Sequence, residues 1–393
     1  MKSILLVDDS KTVLLYMTSA LQKQGYEVIA VEDGESALEV LTHRTDIQFV
    51  LSDLMMPGIS GIELCRELKS SAFSRYIFFV LLSSRNDQES IIKGMDAGAD
   101  DFVDKKTPVE ELEARVRAGF RSLDLHNIVS LKNKQLSESN AVMSRDLEAA
   151  EELVSQLLPT SNQLLNTEFA YLHLPSSKIG GDMLGYMRLD EQNIAMYVLD
   201  VSGHGISSAL LSFSIQQLLS QSEPKDQITM DYVDGSYRVA EPEKVVEKLN
   251  SRYARNNKSA LFFTISYLVL DTLSGLVRYC TAGHPSFFIV GKNGLEAVGN
   301  NNFMVGAFEG VEYLGGSIQL APGDLVWMFS DGIIEPKKNG ECFSQERLSS
   351  VVFSGSSLPL QVQISRVIDE VHSWVDGSDF DDDVTLLAAK WND

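Results

Sequence analysis

Two sets of aspartates stand in this chain of 393 residues where their spacing could support chemistry on phosphorus. In the first third, Asp8 and Asp9 close a short apolar run at 4–7, Asp53 closes another at 49–52, and Ser83 and Lys105 close two more. Carboxylates at the carboxyl ends of strands in an open α/β sheet face the crevice where such sheets bind ligands. Three together repel one another unless they share a hard cation, and Mg²⁺ suits one or two carboxylates with water and a phosphate. Further on, Asp182 follows Gly180 and Gly181, Asp200 ends the run 194–200, Asp331 follows 326–329, and Asp382 precedes 384–389. Gly181, Gly203, Gly205 and Gly332 lie beside these aspartates, and the lack of a Cβ lets backbone and ions approach closely. Oxygen-only sites of this kind bind Mg²⁺ or Mn²⁺, and a pair of such ions can hold a hydroxide for in-line attack on phosphorus.

Taken singly these signals are weak, because Asp-Gly and Asp-Asp are common turn sequences. Their placement at strand ends carries the reading, and Asp8-Asp9 as a mere solvated turn is disfavoured by the coincidence with Asp53, Ser83 and Lys105. His204 and His284 are read as structural rather than as general acids. Ser202 is read as a turn residue, since no Ser-His-Asp order or nucleophile elbow accompanies it.

The elements that must hold these side chains follow from periodicity. Residues 1–121 alternate apolar runs at 4–7, 27–31, 49–52, 77–82 and 101–103 with amphipathic stretches such as 10–24 and 34–41. That pattern predicts a doubly wound, five-stranded parallel α/β sheet. Between 129 and 157, Val129, Leu136, Asn140, Met143, Leu147, Ala150, Val154 and Leu157 fall on a heptad seam, which predicts a helical coiled-coil connector pairing with a second copy. A single long surface helix fits the same residues. Beyond Pro159, strand-like runs at 170–174, 194–200, 261–271, 276–281, 286–290, 325–329 and 384–389 alternate with helical stretches at 207–222, 241–254 and 361–375, an α+β pattern. The expected domains are 1–121, 122–158 and 159–393. The polar stretch 221–242, with Tyr232 and Tyr237, is expected to be a mobile insertion.

Composition narrows the classes. Hydrophobic residues make up 44% and charged residues 22%, ordinary globular usage that excludes a disordered chain. The net charge is −22, with a balance of −6 over 1–121 and −16 over 122–393, so no nucleic acid and no anionic membrane is expected as partner. Cys65, Cys280 and Cys342 are odd in number and far apart, which argues for buried reduced thiols rather than a disulfide framework or thiolate zinc site. The apolar stretch after Lys2 is too short for a signal segment and no run is long enough to span a bilayer, so a cytoplasmic location is expected.

The motifs Leu6-Val7-Asp8-Asp9, Ser52-Asp53-Leu54-Met55-Met56-Pro57-Gly58 and Asp101-Phe102-Val103-Asp104-Lys105 resemble those of two-component receiver domains. The resemblance implies that Asp53 accepts a phosphoryl group and that Asp8, Asp9, Asp53 and the carbonyl of Met55 form a Mg²⁺ site. It also implies that Ser83 and Lys105 grip the phosphoryl oxygens while Phe102 moves inward. Lys106 stands where that family usually has a proline after its lysine, and a cis peptide to a non-proline residue costs about 2.5–4 kcal/mol, so a trans turn is expected.

The later motifs, Gly180-Gly181-Asp182, Asp200-Val201-Ser202-Gly203-His204-Gly205, Thr281-Ala282-Gly283-His284-Pro285, Ser330-Asp331-Gly332 and Asp381-Asp382-Asp383-Val384-Thr385, resemble in their order the PPM-type metal-dependent serine/threonine phosphatases. The sporulation and stress-response branch is the nearest pattern. The resemblance implies a β-sandwich flanked by helices, with Asp182, Asp200, the Val201 carbonyl, Asp331 and Asp382 holding two Mn²⁺ or Mg²⁺ ions. Gly185 departs from the pattern, which usually has an acidic residue three positions after the Gly-Gly-Asp aspartate.

Together these resemblances imply a response regulator in which a sensor histidine kinase or phosphotransfer protein phosphorylates Asp53 and so controls a phosphatase. The implied substrate is a phosphorylated anti-sigma-factor antagonist, and the connector implies a homodimer. A different class remains open: a phosphorylation-controlled adaptor whose phosphatase-like domain binds a sigma factor or other protein without catalysis. A DNA-binding regulator is disfavoured by the acidic second part and the lack of a terminal helix-turn-helix pattern.

Overall fold

The computed structural model describes residues 2–70, 75–83, 88–203, 205–221, 227–254, 261–375, 377 and 380–392. The chain divides into two units, Met1–Val142 and Met143–Asp393.

In the first unit the strands Glu27–Val31, Ser3–Val7, Phe49–Asp53, Phe78–Ser83 and Asp101–Asp104 pair in that order, all parallel. Side chains alternate across the sheet: Ile4, Leu6, Phe49 and Leu51 face one core with Leu14, Met17 and Phe120, while Leu5, Val7, Val50 and Phe79 face another with Leu41, Leu64 and Leu68. Helices cover both faces, which is why the strands read as unbroken apolar runs. The order reverses between Ser3–Val7 and Phe49–Asp53, so the carboxyl ends bearing Asp8, Asp9 and Asp53 meet at the switch point. The helix Gly61–Lys69 starts just beyond, set by a capping box in which the Ser60 hydroxyl and the Glu63 carboxylate bond each other's backbone amides.

The helix Val109–Ser155 runs for 47 residues, passing residue 121 without a break. Its first turns belong to the first unit through buried Leu112, Val116, Phe120 and Leu123. Leu125, Ile128, Val129, Leu131 and Leu136 then lie exposed. In the second unit Val154 and the following Leu158 pack on the core. The heptad seam therefore divides: Val129, Leu136, Asn140 and Met143 face solvent, while Leu147, Ala150, Val154 and Leu157 are half-buried.

The second unit is a sandwich of two antiparallel sheets. One has five strands, Gly316–Gln319, Leu276–Ala282, Phe263–Asp271, Asn193–Val201 and Met183–Arg188, in that order. The other has six, Gly294–Val298, Phe287–Gly291, Leu325–Phe329, Val384–Trp391, Thr167–Leu174 and Gln163–Leu164. Alternation again builds the layers. Ile194, Met196, Val198, Val326, Met328, Leu387 and Ala389 fill the space between the sheets. Ala195, Tyr197 and Leu199 point outward to the helices Ile206–Leu219 and Pro242–Ala254, and Leu325, Trp327, Leu386 and Ala388 point to Ser344–Gly355 and Leu360–Trp374. Four layers result, two helical and two of sheet.

Three sequence expectations are corrected. Of the three cysteines expected to be buried, Cys65 and Cys280 are, whereas Cys342 is exposed on the two-residue strand Glu341–Cys342. The stretch expected as a mobile insertion contains an antiparallel hairpin, Met230–Val233 with Ser236–Val239, in which the Tyr232 and Tyr237 rings lie 5.0 Å apart, followed at once by a helix starting at Pro242; residues 222–226 lie outside the described residues. The helix Ser344–Gly355 was not legible, because its polar, serine-rich sequence leaves only Leu348, Val352 and Gly355 buried.

Candidate functional site

At the carboxyl edge of the parallel sheet, Asp8, Asp9 and Asp53 each offer one carboxylate oxygen, and these oxygens lie within 4.8 Å of one another. Asp8 is fully buried, Asp53 nearly so and Asp9 exposed. Lys105 bridges two of them, with Nζ 2.6 Å from Asp8 Oδ2 and 2.9 Å from Asp53 Oδ2. Asp53 Oδ1 accepts the Leu54 amide at 2.8 Å. Burial raises the Asp53 carboxyl above its ordinary value, against the pull of Lys105. Ser83 is buried at the end of its strand, and its carbonyl accepts the Lys105 amide at 2.8 Å. Phe102 is half-buried against the core, and the Met55 side chain is exposed two residues beyond Asp53. The donor set of clustered carboxylate oxygens fits a small divalent cation. No cis peptide occurs among the described residues, so the Lys105–Lys106 bond is trans.

At one end of the sandwich the second set converges. Asp200 lies at the end of Asn193–Val201, and Asp182 immediately precedes Met183–Arg188, its antiparallel neighbour. Asp331 follows Leu325–Phe329, and Asp382 and Asp383 precede Val384–Trp391, again neighbours. The two halves are tied together by Asp383, whose carboxylate crosses between the sheets. Its Oδ2 accepts the amides of Gly181 at 2.6 Å and Asp182 at 3.3 Å, and its Oδ1 accepts the Ser176 amide at 2.7 Å and hydroxyl at 3.0 Å. The Gly-Gly-Asp loop also lies against the other: a Cβ on Gly181 would sit 2.8 Å from the Val201 carbonyl oxygen. Gly203 and Gly205 take φ of +83° and +93° as the chain turns into Ile206–Leu219. Within that turn the Ser202 hydroxyl accepts the Phe262 amide at 3.1 Å, the structural role expected for it.

Electrostatics show the strain of gathering these acids. Burial, then neighbouring Asp331, Asp382 and Asp383, push the Asp200 carboxyl up to about 7. Burial first and Asp200 second raise Asp182 well above the carboxylate range, and burial, Glu335 and Asp382 raise Asp331. Oδ2 of Asp182 is buried without a well-formed hydrogen bond, although the Ser330 and Thr385 hydroxyls are near. An orphaned anionic oxygen among like charges fits a cation as its missing partner. Among the described residues, no three of these acids offer oxygens all within 4.8 Å of one another, a wider ring than that of Asp8, Asp9 and Asp53.

His284 is buried, with Nδ1 2.7 Å from the Thr264 hydroxyl, and burial pulls its pKa down to about 3, so it is a neutral core residue. His204 lies outside the described residues. Gly185 has a packing cause: a Cβ there would lie 2.5 Å from the hydroxyl of fully buried Tyr197, its cross-strand partner. Sequence reasoning missed Asp383 as a site-building residue. The strand alternation starting at buried Val384 was the available signal, but it does not say which of three consecutive aspartates turns inward. His173, 3.1 Å from the Asp182 carbonyl, gave no sequence signal.

The end of the long helix lies across a groove from both loops of this site. Leu147 and Val154 line an apolar groove with Ile179, which precedes the Gly-Gly-Asp loop, and with Ile206, Leu210 and Phe213, which follow Gly205. Gln216 donates from Nε2 to the Leu157 carbonyl at 3.2 Å.

The sequence matches the family described as Stage II sporulation protein E (SpoIIE) over residues 190–392 and that described as Response regulator receiver domain over residues 4–117. Among curated proteins it is similar to response regulator ArlR of Staphylococcus saprophyticus subsp. saprophyticus, 32% identical over 132 residues that make up 34% of this chain and 58% of that protein. It is also similar to the phosphate regulon transcriptional regulatory protein PhoB of Pseudomonas aeruginosa, 36% identical over 120 residues, 30% of this chain and 52% of that protein. The chain thus spans little more than half the length of these relatives. Among solved structures, the SiaA-PP2C domain of Pseudomonas aeruginosa aligns with a TM-score of 0.55 and 17% identity over 65% of this chain and 99% of that one, a likeness of fold.

Proposed function

We propose a function for a chain that belongs to the Stage II sporulation protein E (SpoIIE) family and carries a receiver domain together with a PPM-type serine/threonine phosphatase domain. Asp53 takes a phosphoryl group from a sensor histidine kinase or phosphotransfer protein, with Asp8, Asp9 and the Met55 carbonyl completing a Mg²⁺ site. Ser83 and Lys105 then bind the phosphoryl oxygens, and the loss of the Lys105–Asp53 pairing, seen at 2.9 Å, repacks the domain around Phe102.

In the second unit, Asp182, Asp200, the Val201 carbonyl, Asp331 and Asp382 hold two Mn²⁺ or Mg²⁺ ions. When bound, the ions lower the pKa of a water and neutralise charge on the phosphoryl group. Water adds to phosphorus and the serine or threonine oxygen departs, so a phosphoester becomes an alcohol and inorganic phosphate. The substrate is a phosphorylated anti-sigma-factor antagonist, a choice that rests on the likeness of the motif order to the sporulation and stress-response branch. The observation that carries the catalytic reading is the convergence of the four carboxylates at one end of the sandwich, with raised Asp182, Asp200 and Asp331.

Control passes through the helix Val109–Ser155. Its last turns share an apolar groove with Ile179 and Ile206, next to the loops that carry Asp182 and Asp200, so a change in helix position is felt where the acids meet. The exposed Val129, Leu136 and Met143 pair with the same helix of a second copy to form a homodimer. Release of phosphate from phosphorylated antagonists, with and without an acyl phosphate donor and with Mn²⁺ or Mg²⁺, tests the whole reading. Equal rates for wild type and Asp331→Asn would remove the catalytic assignment.

A further inference from the structure

We propose that Asp104 is a positioning residue for Lys105, holding the phosphoryl-gripping lysine by closing the turn that follows it; the idea rests on the reading of Asp53 as phosphoacceptor. Lys105 works at short reach, 2.6 Å from Asp8 Oδ2 and 2.9 Å from Asp53 Oδ2, and misplacement by about 1 Å is enough to slow a reaction substantially. It is the first residue beyond the strand Asp101–Asp104. On one side its backbone is fixed, because its amide donates to the Ser83 carbonyl at 2.8 Å. On the other side the chain must turn before the helix that begins at Val109.

Asp104 makes that turn. Its Oδ1 accepts the Lys106 amide at 2.8 Å, and its carbonyl accepts the Thr107 amide at 2.9 Å. A single aspartate therefore grips the backbone on the far side of Lys105 with both its side chain and its main chain, the aspartate-specific turn that such side chains favour. Lys106 makes this necessary and also makes it possible. A proline at that position would fix φ through its ring and would have no N–H to give. Lysine leaves φ free, so the restraint has to come from a neighbour, and its N–H is the handle that Asp104 takes.

The test is phosphoryl uptake at Asp53 of the full chain from phosphoramidate with Mg²⁺, followed by intact mass. Asp104→Ala is expected to slow uptake roughly fivefold, the factor carried by one ordinary hydrogen bond. Asp104→Asn keeps an oxygen acceptor and is expected to recover most of the rate. In a Lys106→Pro background, which has no amide hydrogen to hold, Asp104→Ala is expected to add no further loss. Amide hydrogen exchange supplies a readout that needs no phosphoryl transfer: in Asp104→Ala, protection should fall at Lys106 and also at the Lys105 amide. Unchanged Lys105 protection together with a wild-type uptake rate overturns the proposal, as does an equal loss in the proline background. If wild type takes up no phosphoryl group, the Asp53 reading fails, and the exchange result alone decides whether Asp104 holds Lys105.

Discussion

The carboxylate of Asp383 accepts the amide of Gly181 at 2.6 Å across 202 residues of sequence, and it does so between the two sheets of the sandwich. Four donors in all converge on it, from Ser176, Gly181 and Asp182. Asp383→Ala leaves the buried Gly181 and Asp182 amides without an acceptor, and each orphaned buried group costs about 1–3 kcal/mol, whereas exposed Ser176 can turn to water. The expected result is a stability loss of at least about 2 kcal/mol by urea denaturation, with Mn²⁺ affinity reduced because the Asp182 loop is no longer fixed. Unchanged stability with unchanged Mn²⁺ affinity would contradict the role given to Asp383.

Gly332 meets the same residue from the other side. A Cβ at Gly332 would stand 2.0 Å from the Asp383 carbonyl oxygen, so backbone has to move. Gly332→Ala is expected to cost about 3 kcal/mol and to weaken cation binding. Gly355→Ala is the control: in the helix Ser344–Gly355 the added Cβ meets only the Arg366 side chain, at 3.6 Å, and no loss is expected. Thermal melts of the two variants decide between them.

His284 makes stability depend on acid. Its pKa is pulled from the ordinary 6.5 to about 3 by burial, so the unfolded chain binds a proton in that window and the folded chain does not. Its contribution is whole above pH 6.5 and is lost as the pH falls toward 3, on the order of 5 kcal/mol in all. His284→Asn is expected to flatten the fall in unfolding free energy between pH 6 and pH 4 by about 1.4 kcal/mol per pH unit. A slope that matches wild type would show that the imidazole is not held neutral.

The acids of the second site act in the opposite sense. Asp200 is raised from 3.8 to about 7, so the folded metal-free protein binds the proton more tightly than the unfolded chain. The stabilisation this brings is whole below the unfolded value and is lost as the pH rises through about 7. Metal-free protein is therefore expected to lose melting temperature between pH 5 and pH 8, and Mn²⁺ is expected to restore more of it at pH 8 than at pH 5.5. Asp200→Asn should reduce both effects, as read by melting curves with and without Mn²⁺.

Much of this molecule was legible in its sequence because its strands are buried on both faces. Ile4, Leu5, Leu6 and Val7 alternate between two helix-covered cores, and Leu325 to Phe329 alternate between the sandwich interior and the outer helices, so both read as continuous apolar runs ending at an aspartate. The strand-end aspartates were legible, and antiparallel neighbours place Asp182 beside Asp200 and Asp331 beside Asp382. What could not be read depends on contacts distant in sequence. Asp383 is distinguished from Asp382 only by the Ser176–Asp182 loop that wraps it. The heptad seam looked uniform, yet Leu147 and Val154 are spent on the groove with Ile206 and Phe213 while Val129 and Leu136 stay exposed. Gly185 is set by Tyr197, a residue on the neighbouring strand.

Whether the remote acids of the second unit share cations is decided by anomalous diffraction from crystals of the protein grown with Mn²⁺. Two manganese peaks enclosed by Asp182, Asp200, Asp331 and Asp382 are expected, and they should be lost in Asp331→Asn crystals. Well-ordered crystals with no manganese among those four side chains would contradict that sharing.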